Sequence, residues 1–203
     1  MELFTHWHTW SQAEPRLGER LPAEVAEDVG AAVRFAARWH GEQTRPTGAP
    51  YLEHLLEALE VLVMGAGLTS RDVLIAAVLH DVVEDTPCTL EEVTAAFGPR
   101  VAELVGWVTI PEPAAGQDRI TVKADYLRRL AGAPPDALLV KLADRASNVQ
   151  TLRNLPPARQ HSYYAQTVAY IIPLAAAGTW FATWYAAWQS DFADLASPPC
   201  GPR

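Results

Sequence analysis

The sequence predicts an all-α protein built as one compact multi-helix domain. Three observations carry this. No strand-type alternation of apolar and polar residues persists anywhere along the 203 residues. Apolar stretches recur at helical spacing, with helix start and stop residues at their ends. The apolar content of 49% and charged content of 20% suit a single buried core, and no internal repeat interrupts it.

The elements follow in order. Residues 1–20 read as an irregular N-terminal extension. A helix is expected over 22–40, with Glu24, Glu27 and Asp28 early and Arg34 and Arg38 late, the order that complements the helix dipole. Pro46, Gly48 and Pro50 mark a loop. The next helix spans 51–64, with Leu52, Leu55, Leu56, Leu59 and Leu62 as its apolar set, and Gly65 and Gly67 end it. A helix over 71–85 opens at a Thr69 or Ser70 cap and stops at Thr86-Pro87. Thr89 with Glu92 is a capping-box pattern for a short helix to Phe97. Gly98-Pro99 separates that from a helix near 100–108, and 110–118 is a flexible loop. Helices are then expected at about 119–131, 136–154, 157–177 and 179–190. The domain occupies 21–190, and 191–203 form a flexible tail.

Composition narrows function. The formal net charge of -8 disfavours a nucleic-acid polymer, whose phosphates dominate affinity. A small anion is still allowed, because a metal and a few cations outweigh the global sign locally. Residues 160–190 contain no Asp, Glu, Lys or Arg, but Pro173, Gly178 and Gln166 favour two buried helices, broken at Gly178-Thr179, over a membrane span. The N-terminus lacks the basic start and apolar run of a signal peptide. Cys88 and Cys200 match neither zinc spacing nor a disulfide framework, so a cytoplasmic protein is the expectation.

Three stretches carry chemistry. The first is an apolar run, 73–79, leading into His80, Asp81, Glu84 and Asp85. Spacings of three and four put these groups near one helical face. Crowded carboxylates raise one another's pKa unless a cation neutralises them, and a divalent metal is the simplest such cation. The alternative, a solvated acidic helix end, opposes the helix dipole and the all-round apolar run. The second stretch holds Lys141, Asp144, Arg145 and Asn148 on one helical surface. It reads either as an intrahelical ion pair, worth ~0.2–0.5 kcal/mol, or as a metal ligand with anion-binding neighbours. The third runs from His40 through Arg45 to His54, a histidine on an apolar helix. His54 is structural or a ligand on this evidence, and Arg45 can stack on a base or pair a phosphate. His6, His8, His40 and His161 read as surface or structural. Trp180, Trp184 and Trp188 make a stripe suited to core packing, with an oligomer contact as the other use.

Together these pieces resemble the hydrolase (HD) domain of the Rel/SpoT alarmone enzymes, above all the stand-alone small alarmone hydrolases. The resemblance runs over about 33–178. It rests on Pro50-Tyr51 with His54, on His80-Asp81-Val-Val-Glu84-Asp85-Thr86, on Phe97-Gly98, on Lys141-Leu-Ala-Asp144-Arg145 with Asn148 and Thr151, and on Pro173-Leu-Ala. It implies an all-helical HD-phosphohydrolase fold and one manganese ion. It also implies release of pyrophosphate from the 3′ position of guanosine 3′,5′-bis(diphosphate) and its 5′-triphosphate analogue. By position, His54, His80, Asp81 and Asp144 become metal ligands, and Glu84, assisted by Asp85, becomes the base or water-orienting group. Arg45, Asn148 and Thr151 become substrate contacts, with Lys141 and Arg145 as supports. Four departures stand out: Pro46 replaces a usual lysine, Ser147 a common histidine, Leu55 a proline and Gln150 an arginine. Pro46 lacks a donor for a purine, which leaves an adenine alarmone or NADPH as alternative substrates. A binding protein that neutralises a partner synthetase is the non-enzymatic alternative, and a homo-oligomer is allowed.

Overall fold

The computed structural model describes residues 1–45, 47–176 and 178–196. Pro46, Ala177 and the last seven positions, Cys200 included, lie outside the described residues.

The centre of the molecule is the stretch that is apolar on every side. Val73 to Leu79 are all fully buried, as a helix without a polar face must be. This helix, α4 (Arg71–Leu79), is enclosed by α2 (Ala23–His40), α3 (Tyr51–Glu60), α7 (Pro99–Val108) and α9 (Pro135–Gln150). The remaining elements are α1 (Trp10–Arg20), α5 (Val82–Asp85), α6 (Leu90–Phe97), α8 (Arg119–Arg129), α10 (Pro157–Gln166) and α11 (Trp180–Asp191). Among the described residues no strand forms; Thr44 and Pro50 make one isolated bridge that pinches the loop before α3.

Local chemistry accounts for the ends. Glu92 Oε2 accepts the Thr89 N–H at 2.8 Å and the Thr89 hydroxyl accepts the Glu92 N–H at 3.3 Å, the reciprocal cap that the sequence predicts. The expected helix over 71–85 is two helices. It breaks at His80-Asp81, where Asp81 sits at φ -101° and ψ -4°, and resumes as α5. The charge-free segment 160–190 is interrupted earlier than expected: α10 loosens into a wide turn, Thr167–Ile171, and a tight one, Ile172–Leu174, that contains Pro173. Among the described residues no helix is long and apolar enough to cross a membrane.

The N-terminal segment differs most from expectation. Residues 1–9 carry no regular element, as expected, but Trp10–Arg20 form α1, and Phe4, Trp7, Ala13 and Leu17 are buried. Phe4 is tied to α9 by both polar atoms of Gln150, accepting at 2.7 Å and donating at 2.9 Å. The N-terminal ammonium pairs with Asp191 at 2.8 Å. Residues 191–196 are likewise ordered rather than loose, because Phe192 and Leu195 are buried. Both ends gain structure by docking on the core, a tertiary effect that local pattern does not reveal. The tryptophan stripe serves this docking. Trp184 Nε1 donates to Glu2 O at 2.9 Å and Trp188 Nε1 to Val149 O at 3.0 Å.

Trp180 lies over Gly65, where a Cβ would stand 2.5 Å from its ring and 2.8 Å from Phe4. Gly65→Ala is therefore expected to destabilise the fold by about 1–3 kcal/mol through overpacking. Urea denaturation checks this, and an unchanged midpoint would remove Gly65 as the seat for Trp180.

Candidate metal centre and cavity

The break after Leu79 sets up the site. It delivers His80 and Asp81 from the buried end of α4, while α3 delivers His54 and α9 delivers Asp144. The two imidazole Nε2 atoms stand 3.1 Å apart. Asp81 Oδ2 is 3.2 Å from His80 Nε2 and 3.5 Å from His54 Nε2. Asp144 Oδ1 is 3.4 Å from His54 Nε2 and 3.5 Å from His80 Nε2. Donors ~2.1 Å from one shared cation stand about 3.0 Å apart at octahedral angles and about 3.4 Å apart at tetrahedral angles. The observed spacings match that range. His54, His80 and Asp81 form a group able to hold a metal ion, and Asp144 closes on both imidazoles.

The hydrogen-bond polarity makes the same point. His80 Nδ1 faces the carbonyl of Ala77 at 2.7 Å and so carries the proton. His54 Nδ1 faces Ser147 Oγ at 2.9 Å, and that hydroxyl donates to Glu57 Oε2 at 2.5 Å, so His54 Nδ1 also donates. In their neutral forms both rings turn a lone pair inward, toward two carboxylate oxygens. Electron-pair donors converging in a buried space favour positive charge between them, either a proton or a metal cation. Burial pushes the His80 imidazole down, yet Asp81 and Asp144 outweigh it and hold it well above the usual histidine range, so the carboxylates that favour a proton on this ring equally favour a metal cation in its place. Burial pushes Asp81 and Asp144 up, but the imidazoles, and for Asp144 first the ammonium of Lys141, hold both well below the usual carboxylate range.

Asp144 is clamped from outside. Lys141 Nζ reaches its Oδ2 at 2.7 Å, and Asn148 Nδ2 donates to its Oδ1 at 2.6 Å. Tyr51 does the same for the other acidic ligand candidate. Its hydroxyl lies 2.6 Å from Asp81 Oδ2 and 2.5 Å from Asp85 Oδ2, and its ring stacks on His40 at 4.6 Å.

A cavity of about 260 Å³ opens over this centre. One part of its lining is acidic: Asp81, Glu84, Asp85 and Asp144. Another is basic: Arg45, Lys123, Lys141, Arg145 and Arg159. The chain's two lysines both face it. Glu84 Oε2 accepts the N–H of Ile110 at 2.8 Å, fixing the carboxylate against the 110–118 loop. Desolvation pushes Glu84 up and nearby Asp81 adds to this, against the Ile110 N–H. Burial pushes Lys123 down, as do the cations Arg145 and Lys141. Arg145 lies over the Tyr163 ring at 5.3 Å, and its buried Nε has no hydrogen-bond partner among the described residues.

Of the residues singled out in sequence, His54, His80, Asp81, Asp144, Glu84, Asp85, Arg45, Lys141, Arg145 and Asn148 come together at this cavity. Thr151 does not line it; it caps the end of α9 and turns the chain into Leu152–Asn154. Tyr51, Lys123, Arg159 and Tyr163 line the cavity without having been assigned a role. No local sequence signal marks Lys123; packing brings it to the cavity beside Lys141.

Comparison with known proteins agrees with this geometry. Residues 32–180 match the HD domain model, and the chain belongs to the HD domain family. A human protein named guanosine-3′,5′-bis(diphosphate) 3′-pyrophosphohydrolase MESH1 is 40% identical over 139 residues, covering 68% of this chain and 75% of its own. An Aquifex aeolicus protein named guanosine-3′,5′-bis(diphosphate) 3′-pyrophosphohydrolase is 38% identical over 161 residues, 76% of this chain. The chain spans only 22% of that relative's length, and similarly small parts of several other curated relatives. Among solved structures, a metazoan ortholog of SpoT described as hydrolysing ppGpp superposes with a TM-score of 0.68 at 27% identity, over 83% of this chain and 93% of its own.

Proposed function

We propose that the chain is a cytoplasmic, manganese-dependent hydrolase that removes pyrophosphate from the 3′ position of guanosine 3′,5′-bis(diphosphate) and its 5′-triphosphate analogue. The observation that carries this is the convergence of two imidazoles 3.1 Å apart, each with an Asp81 and an Asp144 oxygen at 3.2–3.5 Å, beneath a cavity with acidic and basic walls. The names of the human and Aquifex relatives support the substrate.

In this reading His54, His80, Asp81 and Asp144 hold the ion. When bound, the ion supplies a more acidic water and charge stabilisation at the attacked phosphorus. Glu84 takes the water's proton. One of its oxygens is held by the Ile110 N–H, which leaves the other for the water. Asp85, fixed by Tyr51, flanks it. The water oxygen bonds to the phosphorus next to the ribose, the bond from that phosphorus to the 3′ oxygen breaks, and the 3′ oxygen takes up a proton. Lys123, Arg145 and Arg159 receive the charge of the phosphate chains. Arg45 offers a planar cation to the base. Lys141 and Asn148 keep Asp144 in place, and so serve the ion before the substrate.

The test is a product assay on guanosine 3′,5′-bis(diphosphate) with manganese, run alongside an adenine alarmone and NADPH. Pyrophosphate is the expected product, with the guanine substrate preferred. Orthophosphate would contradict the cleavage position, and a preference for another nucleotide would contradict the substrate.

A further inference from the structure

We propose that Ser147 and Glu57 are positioning residues that fix the ring of His54 with its Nε2 lone pair turned toward the ion. The inference rests on the metal reading above. Glu57 is 5% exposed, and a buried carboxylate is costly unless paired. Its Oε2 is paired twice, with Arg45 at 3.0 Å and with the Ser147 hydroxyl at 2.5 Å. A carboxylate only accepts, so the serine proton points to Glu57 and the serine oxygen is left to accept from His54 Nδ1 at 2.9 Å. The charge on Glu57 thus sets the direction of the whole chain of bonds. It selects the His54 tautomer that presents a lone pair at Nε2, stops the ring from rotating, and raises its donor strength.

The arrangement spans two helices. His54 and Glu57 sit one turn apart on α3, and Ser147 reaches across from α9, which also carries Asp144. Ser147 is 1% exposed and touches no cavity space, so direct contact with substrate is not its role. His80 needs no such device, because a backbone carbonyl holds its Nδ1. The histidine without a backbone partner is the one supplied with a serine–glutamate pair.

The test measures manganese affinity by competition with a fluorescent chelator, on folded protein and without substrate. Ser147→Ala is expected to raise the dissociation constant about 10–100-fold. Val93→Ala, a core truncation on α6, which contributes nothing to the cavity, is expected to leave it unchanged. Wild-type affinity in Ser147→Ala, or equal weakening in Val93→Ala, would overturn the proposal. Should Ser147→Ala fail to fold, Glu57→Gln keeps the volume and an acceptor but loses the charge; it too is expected to weaken binding, and wild-type affinity there would overturn the proposal. If the unaltered chain binds no manganese, the metal reading itself fails, which is a different result from equal binding by variant and parent.

Discussion

Replacing His80 with alanine is expected to abolish tight binding of a divalent ion and to lower turnover by about a thousandfold or more. Loss of an outer hydrogen-bond partner at a metal site typically costs ~10–100-fold, and loss of a ligand removes one of few bonds outright. His80 is the most enclosed of the four candidate ligands, 2% exposed and pinned through Nδ1 to Ala77, so no neighbouring group can swing in to replace it. Stability gives a second readout. Two imidazoles 3.1 Å apart, each 3.2–3.5 Å from an oxygen of both aspartates, crowd lone pairs that repel one another when nothing positive lies between them. Added manganese should therefore raise the Tm of the parent chain, and a chelator should lower it. At free ion a hundred times the dissociation constant, the gain is ~2.7 kcal/mol. The His80→Ala variant should show no such shift. Equal thermal shifts in parent and variant, measured by differential scanning fluorimetry, would place the ion elsewhere.

The second large effect is expected for Glu84→Gln. A base acting on water contributes about 10²–10⁴-fold, so kcat should fall by that amount while KM and manganese affinity stay close to those of the parent. Glutamine still accepts the Ile110 N–H and preserves the loop contact. The pH profile sharpens the assignment. Desolvation, aided by Asp81, raises the Glu84 carboxyl above an ordinary glutamate, and only its ionised form takes a proton. Activity should then fall as pH drops through that raised value, at a higher pH than an unperturbed glutamate would give, and the variant should lose this limb. Steady-state kinetics across pH decides the matter; a variant with unaltered kcat would remove Glu84 from the chemistry.

How much of this was legible in sequence depends on whether a signal was local. The all-round apolar run at 73–79 could only be a central helix, and it is α4. The Thr89–Glu92 cap needed only four residues and stands as expected. The residues at 80–85 and 141–148 that meet at the candidate site stood out because charge follows directly on apolar helix. Other features arise only from packing. In α1 the core-facing side is a narrow pair, Ala13 and Leu17, and Pro15 inside the helix masks the pattern. The break at His80-Asp81 has no proline or glycine to announce it. Tyr51 gains its role from two carboxylates 30 and 34 positions away, and Lys123 from the way α8 meets α9 at the cavity. Ser147 registered only as a departure from the family pattern; its contacts with His54 and Glu57 exist only once α3 and α9 are packed together.

The most direct measurement is anomalous diffraction from crystals grown with manganese. One strong peak is predicted, bonded at ~2.0–2.3 Å to His54 Nε2, His80 Nε2, an Asp81 oxygen and an Asp144 oxygen. A peak bound to other side chains, or manganese-loaded crystals with nothing between those four groups, would contradict the account.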